Sequence, residues 1–399
     1  MIMDPLEGYQ LRLEELKKAS RLRVIPDGNT LFPDFEKGIP TIRPIDLCSN
    51  DYLGLASEES LAQNWIDDSI QSLVPADFSS SASRLLSDRQ YWHSCLELEL
   101  EKLYGKSSLV FNSGYHANVG TISALSIPGT FFLVDRLIHA SVIDGLQLAG
   151  ARFARWKHND MESLKSLVNK FEPEYERIIV VAEGIYSMDG DEAPLPDIVD
   201  LKHQYSKLLI YLDEAHSFGV RGKNGLGLAE EKNCIGDVDI IIGTLGKACA
   251  SSGAFVATSP ILKRWLINSA RSFIFSTALP PIACHWSLLN IRRIVKMQQE
   301  RARLAEISKD FRNFIVDLTK TPNPSVSQII PLIIGDAEKA VAFGKALAEA
   351  HISALPIRRP TVPPGGERIR FSFNASLSDK DLNYIKKEVG RIYASQFHT

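Results

Sequence analysis

Three residue types with complementary chemistry fall at the ends of apolar runs in this chain: an amine, a carboxylate and an imidazole. Lys247 closes "DIIIGTLGK" (239–247) and sits between Gly246 and Ala248. Asp213 and His216 close "KLLIYLDEAH" (207–216), and "RIIVVAE" (177–183) leads into Ser187 and Asp189. "SSLVF" (107–111) leads into Asn112, Ser113, Gly114 and Tyr115. A lysine set among small apolar residues has its charged form disfavoured by desolvation, which makes it a candidate amine nucleophile for a Schiff base. Pyridoxal phosphate needs such a lysine, a carboxylate for its pyridinium nitrogen, and backbone amides at a helix start for its phosphate. Lys247, Asp213 and Gly114–Tyr115 meet those needs in turn.

Taken singly, each residue has a plainer reading. A lysine after a strand is commonly a surface residue, Asp-Glu at a strand end a helix cap, a lone histidine a hydrogen-bonded core residue, and Ser187 a turn residue. Their shared place, at the carboxyl ends of strands where open α/β sheets bind ligands, argues for one site. Competing motifs fail on spacing. "GTLGK" is no phosphate-binding P-loop, since Ile241 stands where the first glycine would be and Ala248 where Ser or Thr would follow. No GxSxG or HExxH occurs, and no metal site is expected.

The strands that position these residues are short, β-branched and apolar throughout, the pattern of a parallel sheet covered on both faces. They alternate with helical segments, which predicts an α/β fold. The spacing also predicts an amphipathic helix from about Pro5 to Arg23 and one long helical region from about Pro281 to Leu318. A small α+β tail follows, with strands at "QIIPLIIG" and "RIRFSFN". The expected division is 1–50 as N-terminal helix and arm, 51–285 as a cofactor-binding large domain, and 286–399 as a small C-terminal domain.

The 399 residues carry a formal charge of −3, which leaves no electrostatic footprint for nucleic acid. No window has the apolar length of a membrane span, and the acidic "MIMDPLEGYQ" does not read as a signal peptide. Five cysteines without CxxC spacing suit a reducing compartment, so a cytoplasmic location is expected.

Six ordered stretches resemble the α-oxoamine synthases, pyridoxal-phosphate enzymes of aminotransferase-like fold type I. They are "SNDYLGLA" (49–56), "HASVIDG" (139–145), "EGIYSMDGDEAPL" (183–195), "DEAHSFGVRGKNGLG" (213–227), "GTLGKA" (243–248) and "FSTALPP" (275–281). The resemblance implies a large domain with a mostly parallel seven-stranded sheet and a small C-terminal α+β domain. It implies that Lys247 holds the cofactor and moves the α-proton, Asp213 pairs with the pyridinium nitrogen, and His216 meets the ring hydroxyl. His139 would stack on the ring, Ser187 and Thr244 would hydrogen-bond near ring and phosphate, and Gly114–Tyr115 would cradle the phosphate. Asn50, Arg358 and Thr361 would contact substrate, together with an N-terminal arginine, for which Arg21 and Arg23 compete. Ser276 and Thr277 would reach the neighbouring subunit's phosphate, implying a homodimer with the site at its interface.

Within the family, "HASVIDGLQLAGARFARWKHNDMESL" (139–164), "IRRPTVPPGGERIRFSFNAS" (357–376) and "SASRLLSD" (81–88) are most similar to the branch that serves biotin synthesis. That branch condenses L-alanine with a pimeloyl thioester and releases carbon dioxide and the thiol. A family member using a longer acyl chain or another amino acid is the alternative, and a non-catalytic partner subunit the remote one. Cys249–Ala250 replaces an aromatic–glycine pair common in the family, the serines at 79–83 replace a glycine-rich loop, and Arg359 replaces a proline. Repacking is the expected consequence at Cys249–Ala250.

Overall fold

A computed structural model of the chain describes residues 6–23, 25, 44–71, 74–88 and 90–397. Twelve strands run through the described residues. In chain order they are β1 (Ile45–Asp46), β2 (Ser107–Phe111), β3 (Thr130–Asp135), β4 (Phe153–Trp156), β5 (Arg177–Glu183) and β6 (Leu208–Asp213). β7 (Ile240–Thr244), β8 (Ala254–Thr258), β9 (Ile329–Ile333), β10 (Ile352–Ser353), β11 (Pro356–Ile357) and β12 (Arg368–Ser372) follow.

Seven of them form one sheet in the order β2-β8-β7-β6-β5-β3-β4. β8 runs antiparallel to both its neighbours, and every other pairing is parallel. β3 and β7 are buried at every residue, as their unbroken apolar sequences require of a sheet covered on both faces. Successive side chains divide between two cores. Leu133, Val180, Leu212 and Ile241 pack on one face, and Phe132, Val181, Tyr211 and Ile242 on the other. The second face is covered by the helices Gly114–Leu125 and Ala140–Leu148, both of which start at the sheet's carboxyl edge.

The C-terminal region holds a three-stranded antiparallel sheet in the order β11-β12-β9. β1 pairs in parallel with β10, so residues 45–46 share a small sheet with 352–353. Two expectations about helices are refined. The N-terminal helix spans Glu7–Lys18 and buries none of its residues. The helical region expected from about Pro281 to Leu318 is present and consists of two helices, Pro281–Ile294 and Gln298–Thr319. Met297 leaves the helical conformation (φ −90°, ψ 48°), and the Arg301 guanidinium donates to the Ile294 carbonyl at 2.6 Å. A side chain thus satisfies a carbonyl at the first helix's end, which makes the break tolerable.

Candidate active site

The carboxyl ends of β5, β6 and β7 deliver Glu183, Asp213 and Thr244 to one edge of the sheet. A cavity of about 190 Å³ opens there, lined by Gly114, Tyr115, Asn118, His139, Glu183, Asp213, Ala215, His216, Thr244 and Lys247. Seven expected site residues therefore converge on one cavity: Gly114, Tyr115, His139, Asp213, His216, Thr244 and Lys247.

Its floor is built from short hydrogen bonds. Asp213 Oδ2 accepts from Asn118 Nδ2 at 2.8 Å, and Asp213 Oδ1 accepts from the Ala215 N–H at 2.9 Å. Asn118 is itself fixed, because its Oδ1 accepts from the Tyr211 hydroxyl at 2.6 Å and its Nδ2 also donates to Ser141 Oγ at 2.9 Å. His139 caps the helix Ala140–Leu148, with Nδ1 accepting from the Ser141 N–H at 3.2 Å. Its own N–H donates to Glu183 Oε1 at 2.6 Å. Burial and the neighbouring Asp213 carboxylate push the Glu183 carboxyl well above its ordinary range.

Lys247 follows β7 in a tight turn, and the chain leaves room for little else. A Cβ on Gly219 (φ +84°) would come within 2.5 Å of the Ala248 Cβ. The Lys247 Nζ lies 2.8 Å from His216 Nε2, and His216 Nδ1 lies 2.5 Å from the Tyr52 hydroxyl. Burial pushes the Lys247 amine down to about 8, although Asp213 and Glu183 pull the other way. Burial and Lys247 hold His216 well below the ordinary histidine value. A half-buried amine that is substantially neutral near pH 8 can act as a nucleophile.

The residues fit a phosphorylated pyridinium aldehyde. The Gly114 and Tyr115 N–H groups start a helix capped by Ser113 and meet no acceptor among the described residues, so they are free to receive phosphate oxygens. The Asp213 carboxylate, bonded to Asn118 of that same helix, and the Lys247 amine line the same space.

The remaining expected residues lie outside the lining. Asn50 Oδ1 accepts from the Tyr52 hydroxyl at 3.0 Å and from Arg370 Nη2 at 3.1 Å. Ser187 receives Arg370 Nε at its backbone carbonyl, at 2.6 Å. Ser276 and Thr277 are tied to Asn112 Nδ2 by the Ser276 hydroxyl at 3.0 Å and the Thr277 carbonyl at 2.5 Å. Of the two candidate N-terminal arginines, Arg23 donates to Thr361 Oγ1 at 3.0 Å, while Arg21 Nε is buried without a partner. Arg358 donates to the Ser20 carbonyl at 2.5 Å. Burial and the nearby Arg23 guanidinium push Arg358 below the ordinary arginine value, and neither arginine has an ion-pair partner among the described residues. Two like charges near each other favour binding of an anion.

Sequence reasoning missed Asn118, Glu183, Tyr52 and Arg370. Asn118 lies one helical turn after Gly114, and Glu183 ends β5 as Asp213 ends β6, so both had a positional signal. Arg370 alternates with apolar residues in "RIRFS", which marks an inward-facing cation. Tyr52 carried no local signal. Cys249 and Ala250 are packed against the helix Pro281–Ile294, where Asn290 Nδ2 donates to the Cys249 carbonyl at 2.8 Å and Trp286 Nε1 to the Ala250 carbonyl at 2.9 Å. Ser80 donates to the Leu279 carbonyl at 2.8 Å, and Arg359 is exposed.

Residues 42–389 match the family model described as aminotransferase class I and II. The 8-amino-7-oxononanoate synthase of Haemophilus ducreyi is 42% identical over 344 residues, covering 85% of this chain and 89% of that protein. The solved structure of Sphingomonas wittichii serine palmitoyltransferase superposes with a TM-score of 0.85 at 27% identity, covering 98% of this chain and 99% of that one. The structure of Francisella tularensis 8-amino-7-oxononanoate synthase superposes with a TM-score of 0.72 at 27% identity, covering 89% and 99%.

Proposed function

Because this chain belongs to the aminotransferase class I and II family, in its α-oxoamine synthase group, we propose that it condenses L-alanine with a pimeloyl thioester. The products are 8-amino-7-oxononanoate, carbon dioxide and the free thiol, the thiol belonging to coenzyme A or an acyl carrier protein. The enzyme is a pyridoxal-phosphate-dependent acyltransferase. When bound, the cofactor supplies an electron sink for the pair left on the amino acid's α-carbon.

The chain's own residues do the rest. Lys247 holds the cofactor through its amine and, once displaced by substrate, removes and returns the proton at the α-carbon. Asp213, kept in place by Asn118 and Ala215, would pair with the cofactor's pyridinium nitrogen. The Gly114 and Tyr115 N–H groups and Thr244 would hold its phosphate, and His139 would stack on its ring. His216 would hydrogen-bond the ring hydroxyl, and Ser187 would hydrogen-bond near ring and phosphate. Arg358, with Arg23, Thr361 and Asn50, receives the amino acid's carboxylate, a planar group that a guanidinium fork matches better than an ammonium.

A homodimer completes the reading. The segments around 77–82 and 278–282 are joined by Ala278 N–H to Ala82 O at 2.9 Å and Ile282 N–H to Asp77 O at 3.0 Å. Phe78, Leu86 and Phe275 stand exposed on them beside Ser276 and Thr277, an apolar face suited to a second copy. All five cysteines are free, which supports a cytoplasmic location, and no helix among the described residues is long and apolar enough to cross a membrane.

The observation that carries the proposal is the Lys247–Asp213 cavity in a chain 42% identical to an 8-amino-7-oxononanoate synthase. Ketone formation from L-alanine with pimeloyl-CoA or pimeloyl carrier protein, followed by mass spectrometry, tests it. Absence of product with both thioesters overturns it. The superposition on serine palmitoyltransferase favours a second reading, with L-serine and a long-chain acyl thioester as substrates. Faster thiol release from palmitoyl-CoA and L-serine than from the alanine pair would establish that reading instead.

A further inference from the structure

A chain of hydrogen bonds runs from the C-terminal sheet to the reactive amine. Arg370 Nη2, on β12, donates to Asn50 Oδ1 at 3.1 Å, and Asn50 Oδ1 accepts the Tyr52 hydroxyl at 3.0 Å. The Tyr52 oxygen lies 2.5 Å from His216 Nδ1, and His216 Nε2 lies 2.8 Å from Lys247 Nζ. Arginine only donates, so the Asn50 atom that faces both partners is its oxygen. The Tyr52 hydroxyl therefore has two acceptors in reach, Asn50 Oδ1 and His216 Nδ1, and a single proton for them.

That count leaves two His216 tautomers, of which only the first can accept from a Lys247 ammonium; a neutral amine suits either. In the first, Tyr52 donates to Asn50, the His216 Nδ1–H donates to the Tyr52 oxygen, and the bare Nε2 accepts from the Lys247 ammonium. In the second, Tyr52 donates to His216 Nδ1, and the Nε2–H donates to the lone pair of a neutral Lys247 amine. The second holds one proton fewer, lost from the amine. Neutral His216 serves both, in keeping with the low proton affinity its burial imposes.

We propose that Tyr52 is a positioning residue that selects the His216 tautomer, and that Asn50, held by Arg370, biases it toward the arrangement that stabilises the Lys247 ammonium. The charged and titratable groups around Lys247 and His216 are Asp213, Glu183, Arg370 and His139; Gln328 and Ser372 add uncharged contacts to the Tyr52 hydroxyl. The inference deepens the proposed function, because it rests on Lys247 being the reactive amine, but it concerns the cofactor-free protein's own protons.

Two readouts on the apoprotein test it. The ¹⁵N shifts of His216, assigned by the peak lost in His216→Gln, report the tautomer. The pH dependence of Lys247 amidination by methyl acetimidate, followed on its peptide by mass spectrometry, reports the amine's midpoint. In wild type below that midpoint, His216 carries its proton on Nδ1. Tyr52→Phe keeps the buried ring, moves the proton to Nε2 and lowers the Lys247 midpoint by about one unit, a tenfold change in the charged fraction above it. Asn50→Leu frees the Tyr52 hydroxyl for His216 and shifts both readouts in the same direction. An unchanged tautomer and midpoint in whichever variant folds overturns the inference and leaves the cofactor reading standing. Failure of wild-type holoenzyme to show cofactor attached to Lys247 overturns that reading alone.

Discussion

The floor of the cavity and its rim are made differently. At the floor, Asp213, Asn118, Tyr211 and Ser141 are buried and joined by bonds of 2.6–2.9 Å that link β6 to the helices Gly114–Leu125 and Ala140–Leu148. Outside the lining, in the cluster read as the substrate rim, Arg23 and Thr361 are exposed, and the bond between them joins residues 338 positions apart. A satisfied, buried network holds one geometry and is costly to disturb, whereas an exposed arginine and a half-buried one on separate segments can adapt to what binds between them. On the proposed reading, the floor performs the chemistry and the Arg23–Thr361–Arg358 cluster selects the substrate.

Substitutions can break that comparison or sharpen it. The largest effect is expected at Lys247→Ala, which removes the amine altogether. Turnover should fall by about 10⁴-fold, about 5 kcal/mol in barrier, with the fold intact by circular dichroism. Asp213→Asn keeps the shape of the floor and removes its charge, so kcat should fall about 10²-fold, about 3 kcal/mol, at little cost in KM. Arg358→Lys at the rim should do the reverse, raising KM for the amino acid about tenfold, about 1.4 kcal/mol, with kcat nearly unchanged. Equal effects of Asp213→Asn and Arg358→Lys on KM would erase the distinction.

Outside the cavity lining, His158 bridges Asp135 at 2.9 Å and Asp191 at 2.7 Å. Burial opposes its charge, yet the two carboxylates carry it up to about 10. A value raised on folding adds stability that is complete below the ordinary histidine range and is lost as pH rises through about 10. The melting-temperature deficit of His158→Gln should therefore be largest near pH 6 and shrink by pH 10. The smallest expected effect is a gain. Ala250 holds φ +48°, in the left-handed region that disfavours a Cβ. Ala250→Gly should stabilise the chain by about 0.5 kcal/mol after the loss of unfolded-state restriction, a shift readable in urea unfolding.

Legibility in sequence follows the same division. The floor could be read because Asp213, Thr244 and Lys247 lie at or just past the ends of apolar strands, where local pattern sets position. β8 had no such signal of direction, since "AFVAT" is equally apolar whichever way it pairs. The break at 295–297 depends on Arg301 reaching back to Ile294, a choice between side chain and backbone that periodicity does not encode. The alternation in "RIRFS" marks Arg370 as inward-facing, but that it meets Tyr52 across Asn50 depends on the C-terminal sheet docking, which no spacing announces. Ala250 sits in a left-handed turn, a conformation glycine adopts more readily, that its neighbours in sequence do not suggest.

The most direct measurement is borohydride reduction of the pyridoxal-phosphate-loaded protein, followed by peptide mass spectrometry. A phosphopyridoxyl group on Lys247, in the peptide that contains "GTLGKA", is the expected result. Its appearance on any other lysine, or on none, would contradict the assignment of the cavity at the carboxyl ends of β5, β6 and β7 as the active site.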